Sequence, residues 1–271
     1  TAMDKYGKVI EKCQKVLNEF PKSNYKMSAI LLMAQARYYR NEYDVAIENL
    51  KQINSKDDQK LFEKSKYWIS LCKWKKGNSE VAKLELINLL AKTKSKEIKS
   101  ISHLSLAEIN KELKNSEQVI YHLENAAKFS INRNQKGIIY GRLAEIAFNK
   151  KEYKVALSGY RNVISNSISK DKIEDAHLKI LKIMRSEKDF KSAEKKIKSL
   201  LLDDKFKRIA GELELELVQL YRAQGDFSEI ESRLESIVNT YQKTSVSSEA
   251  YYELGKIYCS EKWDLKKAKE Y

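Results

Sequence analysis

Three histidines, three cysteines and two pairs of adjacent aspartates are the residues of this chain best suited to chemistry. His103, His122 and His177 could act as general bases or metal ligands if the fold gathered them. Their spacings of 19 and 55 residues fit no ligand motif, and no HExxH occurs. Cys13, Cys72 and Cys259 are far apart and form no CxxC, so zinc and dithiol chemistry find no support. Each cysteine reads as a small buried hydrophobe on a helix face. Asp57-Asp58 and Asp203-Asp204 lie in polar stretches where solvent can satisfy them. No GxGxxG or GxxxxGK[ST] loop is present to cradle a phosphate. The sequence therefore predicts no catalytic, cofactor-binding or metal-binding residues, no cofactor and no small-molecule substrate. The expectation is a protein that is not an enzyme.

The elements that would position any site are helices. Proline occurs once and glycine eight times in 271 residues, too few for a fold built on tight turns. With 42% hydrophobic and 33% charged residues, the chain suits thin layers with much solvated surface. No apolar window is long enough to span a membrane. The net charge of +14 comes from lysines interleaved with glutamates, the pattern of solvated helix faces, which argues against nucleic acid as partner.

Residues 140–164 show the unit from which the rest is built. Tyr140, Leu143, Ala144, Ala147 and Phe148 recur at spacings of three and four, the mark of one helix face. Lys150-Lys151-Glu152 interrupts the run. Tyr153, Ala156, Leu157, Tyr160, Val163 and Ile164 then form a second face. Small residues at 144 and 156 allow the two helices to approach closely. The second-helix position recurs at Ala46, Ala82, Val119, Ala156, Ala193, Ile230 and Ala268, in steps of 36, 37, 37, 37, 37 and 38. Its first-helix partner is Ala34, Ser70, Ala107, Ala144, Leu181, Val218 or Gly255. His103 and His177 fall at equivalent places early in a first helix, which predicts packing against the neighbouring unit. Turns fall at Asn41-Glu42-Tyr43 and its counterparts, ending with Gly225-Asp226-Phe227 and Trp263-Asp264-Leu265. Each helix is expected to be about a dozen residues, marginal alone and stable only when stacked.

This pattern resembles the tetratricopeptide repeat family. The last unit carries Tyr251, Leu254-Gly255, Tyr258 and Ala268, and the unit above carries Tyr140, Leu143-Ala144, Ala156 and Tyr160. The resemblance covers nearly the whole chain. It implies an all-α, right-handed superhelix of about seven antiparallel helix pairs plus a leading helix. Residues 1–271 would form one array, a fragment of a longer chain with both ends inside a repeat. The period is longer than the family's, so longer loops are expected at residues 53–61, 130–137 and 165–174. Phe20-Pro21-Lys22-Ser23 is similar to a junction in bacterial cell-envelope repeat proteins, including the outer-membrane assembly lipoprotein, which favours a periplasmic or outer-membrane-associated setting.

In this family the first helices line a concave wall that holds a protein or peptide. Carried over, that wall comprises Leu31, Gln35, Tyr38, Tyr39, Tyr67, Trp74, Glu108, Glu145, Phe148, Asn149, Lys182, Arg185, Gln219, Arg222, Tyr252 and Lys256. Leu71, Leu104, Lys111 and Leu178 join it. The leading half is aromatic and the trailing half more cationic, so the expected partner sets an apolar part near Tyr38 and Trp74 and an acidic part near Arg185 and Arg222. The Lys-then-Asn pair that grips acidic chaperone tails, and the asparagine ladder of sugar-transferase repeats, are both missing from the matching positions. The rival reading is a regulatory peptide- or ligand-sensing array attached to an effector domain.

Overall fold

The structure, a computed structural model, describes residues 2–56 and 58–261. The turn Trp263-Asp264-Leu265, Ala268 and Asp57 lie outside the described residues. Every regular element described is helical. α1 (Ala2–Glu19) leads. Six pairs follow: α2 (Lys26–Tyr39) with α3 (Tyr43–Lys51), α4 (Gln59–Lys75) with α5 (Ser79–Lys92), α6 (Lys96–Glu112) with α7 (Ser116–Phe129), α8 (Arg133–Asn149) with α9 (Tyr153–Asn166), α10 (Lys170–Ser186) with α11 (Phe190–Leu201), and α12 (Ala210–Gln224) with α13 (Ile230–Thr240). A 3₁₀ segment, Asp204–Ile209, leads into α12, and α14 (Ser245–Lys256) runs on into a π-helical turn, Ile257–Glu261. The chain divides into two compact units, residues 1–139 and 140–271. In the first, α1 to α7 pack in succession, and first helices also meet, α2 on α4 and α4 on α6. In the second, α9 to α14 pack in succession, with α10 on α12 and α12 on α14.

The small residues read from the sequence are the packing points. Ala46, Ala82, Ala156 and Ala193 are fully buried, and Ala34, Ser70, Ala107, Ala144, Leu181 and Val218 are at most 1% exposed. Ala34 and Ala46 share one core cluster, Ala144 and Ala156 another. Gly255 alone of the described series is only half-buried. Gly159 marks a close approach that the periodicity did not reveal. A Cβ there would lie 2.7 Å from Ala144 Cβ and 3.2 Å from both Ala144 Cα and the Tyr140 carbonyl oxygen.

Each helix pair turns through the same backbone device. Asn41, Gly77, Lys114, Lys151, Lys188 and Gly225 adopt φ between 57° and 89°. The next amide donates to the carbonyl five residues back: Glu42 to Arg37, Asn78 to Lys73, Asn115 to Asn110, Glu152 to Ala147, Asp189 to Met184, and Asp226 to Tyr221. This is the left-handed cap that satisfies the last carbonyls of a helix. Glycine fits it without a Cβ clash, whereas lysine carries a penalty of about 1 kcal/mol. Replacing Lys114, Lys151 or Lys188 by glycine should therefore raise unfolding stability by roughly 0.5–1 kcal/mol each. Gly225→Ala, where a Cβ would meet nothing within 4 Å, should lower it by a similar amount through backbone strain alone. Urea melts of the four variants check both signs.

Two of the expected long loops are helix instead. Residues 130–137 and 165–174 contain connections of only three residues, 130–132 and 167–169. Polar residues in the expected loops, and Ser95 outside them, are N-caps. Asp58 accepts from the Leu61 amide at 3.0 Å, Ser95 from Ile98 at 3.3 Å, Asn132 from Gln135 at 2.9 Å and Ser169 from Lys172 at 3.5 Å. These four caps recur every 37 residues. The helices they open, α4, α6, α8 and α10, are each 17 residues long rather than about a dozen. The period exceeds the family's because the first helices are longer. Only the first expected loop stands, at residues 52–56 and 58.

Candidate partner-binding face

In residues 1–139 the predicted wall residues divide between core and surface. Leu31 and Leu71 are buried, at 7% and 6% exposed, and belong to the packing. Gln35, Leu104 and Glu108 are half-buried, and Lys111 is exposed. Tyr38 is half-buried and packs on the cluster that holds Ile30, Leu50 and Ile53. Its ring meets those of Tyr39 at 5.3 Å, Tyr43 at 5.6 Å and Trp68 at 5.1 Å, all edge to face. Burial, then the neighbouring Tyr43, Tyr67, Cys72 and Tyr39, push its hydroxyl pKa up to about 12. Tyr39 is 51% exposed. It stacks on Tyr6 at 5.2 Å and meets Trp68 at 6.0 Å. Tyr67 meets Trp68 at 5.8 Å, and its hydroxyl lies 3.0 Å from that of Ser105. Six rings from α1, α2, α3 and α4 are thus continuous.

Tyr38 and Trp74, expected to share one apolar anchor, are engaged separately. Trp74 packs with Ala82, Leu86, Leu106 and Ile109, and its indole donates to Glu112 at 2.7 Å. Trp68 takes its place beside Tyr38 and Tyr39. The signal for Trp68 was the doubled aromatic, Tyr38-Tyr39 and then Tyr67-Trp68, on consecutive first helices.

In residues 140–261 the predicted face is held by ion pairs between successive first helices. Arg185 donates to Glu216 at 2.8 Å, and Arg222 donates to Glu253. Arg185 and Arg222 are 37 residues apart, as are Glu216 and Glu253, so one contact is written twice. Glu216 and Glu253 are 6% and 7% exposed. Burial pushes the Glu253 pKa up, but bonds from Arg222 and Lys256 outweigh it and hold the carboxyl below its ordinary value. One unit earlier the same slot holds Phe148, with the Lys179 ammonium 5.2 Å from its ring. Lys179 also pairs with Glu145 at 3.4 Å, and Glu145 accepts from the Tyr160 hydroxyl at 2.7 Å. Gln219 and Leu178 are half-buried; Asn149 and Lys182 are exposed. Tyr252 is 67% exposed, with the Lys256 ammonium 5.4 Å from its ring. Arg185 and Arg222, expected to face an acidic segment, already hold carboxylates of this chain.

The chemically suggestive residues are structural in their contacts. His103 Nδ1 lies 2.9 Å from His122 Nδ1, a hydrogen bond that requires at least one neutral ring. His103 thus finds its partner in its own helix pair, because α7 of that pair offers His122 and Phe129. His177 meets Phe206, in the segment leading to the next pair, at 5.0 Å. Cys13 and Cys72 are buried, and burial first, then Asp44, pushes the Cys72 thiol up to about 12. Cys259 is exposed, contrary to the expectation for all three. It lies in the π-helical turn, where Ile257 and Tyr258 take the core positions. Asp203 accepts from the Lys205 amide at 3.0 Å, and Asp204 pairs with Lys207 at 2.8 Å. Among the described residues no three potential metal ligands cluster, and no helix is long and apolar enough to cross a membrane.

No protein-family model matches the sequence, and no curated protein matches it. Among solved structures, the C-terminal part of a TPR repeat-containing protein from Cytophaga hutchinsonii is similar at a TM-score of 0.61, with 14% identity, over 88% of this chain and 90% of that one. Pseudomonas aeruginosa PilF is similar at 0.48, with 12% identity, over 84% of this chain and 97% of that one. Paired helices with a 37-residue recurrence, buried small residues at each contact and the likeness to the Cytophaga protein agree on one conclusion: this chain has the tetratricopeptide repeat fold.

Proposed function

We propose that this chain is a non-enzymatic scaffold that holds a protein or peptide partner on the first-helix face of its repeats. The observation that carries the reading is the six-ring cluster around Tyr39, in which five half-buried rings back the one ring, Tyr39, that is 51% exposed. Rigid aromatics backed by a core are the usual anchors of an interface, because little side-chain freedom remains to be lost on binding. An apolar side chain of the partner packs against Tyr39 and Trp68. Within residues 140–261 the same face carries an exposed cation at Lys182, which suits an acidic partner segment. The most concrete setting is bacterial envelope assembly, drawn from the Phe20-Pro21-Lys22-Ser23 junction. A lipobox or signal peptide in the full reading frame would support that setting, and a catalytic or DNA-binding domain would oppose it.

Affinity capture from native lysate, with this chain as bait, tests the scaffold reading. Tyr39→Ala with Trp68→Ala should weaken capture by about tenfold or more, the effect of losing interface anchors. Full capture by a double variant that melts and shows helicity like the parent would remove the aromatic cluster from the interface.

A further inference from the structure

We infer that the outward face of α5 is a second docking surface and that it takes an acidic amphipathic helix. α5 enters the core of its unit through Ala82, Leu86 and Leu89. A solvated helix carries polar residues on the side opposite its core stripe. α5 instead places Val81, Leu84, Ile87 and Ala91 there, at spacings of three, three and four, and all four are exposed. Leu84, at the centre of that arc, is 60% exposed. Exposed Glu80 and Asn88 share this arc, but its larger part is apolar, and an apolar ridge rimmed by charge marks an interaction site rather than a solvated surface.

The relief around this ridge suits a helix laid beside it. On one flank is a cavity of about 580 Å³, floored by Ile47, Phe62, Ile69 and Leu89. On the other is a cavity of about 520 Å³, bounded by Ile87, Leu90, Ala91 and, from α7, Tyr121 and Phe129. A ridge between two hollows receives side chains from successive turns of a partner helix. Charge selects the partner. Lys51, Lys66, Lys73 and Lys92 line the first hollow and Lys99 the second. The two carboxylates of the first hollow are already bonded within the chain. Glu63 accepts from Thr93 at 2.6 Å and from Gln59 at 3.1 Å, and Glu85 accepts from Lys73 and Ser70. The surplus is cationic, so its complement carries glutamates or aspartates around an apolar stripe. None of these residues belongs to the ring cluster around Tyr39, so the two surfaces fail or stand separately.

The probe is a labelled, four-turn amphipathic peptide with leucines on one face and glutamates on the other, read by fluorescence anisotropy against the whole chain. Saturable binding is expected, weakening with added salt and falling about tenfold or more in Leu84→Glu. Lys51→Glu with Lys92→Glu, both at exposed positions, should weaken it similarly, and Tyr39→Ala should leave it unchanged. The same peptide with lysines for glutamates should not bind. Absence of saturable binding, equal binding of the lysine peptide, or unchanged affinity in a folded Leu84→Glu would overturn the inference. Self-association of the chain that disappears in Leu84→Glu would also overturn it, by giving the face to a second copy.

Discussion

Ala156→Glu should remove most of the stability of this protein. Ala156 is fully buried, in one cluster with Ala144, Ala147, Tyr160 and Val163. A glutamate there must displace neighbours and carry a charge into the core with no cation built to receive it. An unpaired buried charge costs several kcal/mol, against a total stability of about 5–15 kcal/mol. Val155→Glu, at the adjacent 57% exposed position, is the control and should change little. A graded companion is Gly159→Ala. Helix propensity favours alanine by about 1 kcal/mol, but the new methyl would meet backbone atoms of α8 that cannot rotate away. Overpacking of about 1–3 kcal/mol should prevail. Thermal melts followed by circular dichroism separate the outcomes. An Ala156→Glu protein that melts with the parent would mean that this position does not face a helix contact.

Stability should also drain in mild acid, before the carboxylates begin to titrate. Burial lowers the pKa of His103 to about 4, helped by His122 and Lys99, and burial with Lys196 nearby lowers that of His177 to about 4. His122 is lowered by burial and by Lys83. An unfolded histidine titrates near 6.5. Above that value both states are neutral and nothing is lost. As pH falls from about 6.5 to 4, the unfolded chain takes protons that the folded chain refuses, so unfolding gains free energy. The loss grows steadily across that window and is largest at its lower end, with His103 and His177 both contributing. Glu194 and Glu253, held below their ordinary values by cationic partners, lose their contribution only at lower pH. Urea melts at stepped pH should show the decline, and His103→Gln with His177→Gln should flatten it. Stability that stays level between pH 7 and 4.5 would contradict the neutral buried state of these rings.

Much of the fold was legible because the repeat fixes a small residue at each helix contact, and Ala46, Ala82, Ala156 and Ala193 repeat it with little noise. The caps were harder to read. Asp58, Ser95, Asn132 and Ser169 look like loop residues until the amide three positions on is seen to need them. Lysine at left-handed turn positions gives no warning, since its usual place is a helix surface. The face was legible in outline and less so in detail. Helical spacing assigns Tyr38 and Trp74 to one side of their helices, but whether a large ring meets solvent or the next pair depends on what the neighbour offers. Trp74 found Glu112 and a core, while Tyr39 found Tyr6 and Trp68 and stayed half in water. The Arg185–Glu216 contact was hidden for the same reason, although its echo in Arg222 and Glu253 is plain once one instance is known.

The most direct test of the scaffold reading is hydroxyl-radical footprinting of the chain, free and bound to the partner recovered by capture. Free protein should be oxidised strongly at Tyr39 and Tyr252, the most open rings of the predicted face. On binding, labelling of Tyr39 and Trp68 should fall, while exposed second-helix residues such as Val155 keep theirs. Labelling of Tyr39 and Trp68 that is the same with and without partner would contradict the first-helix face as the place of binding.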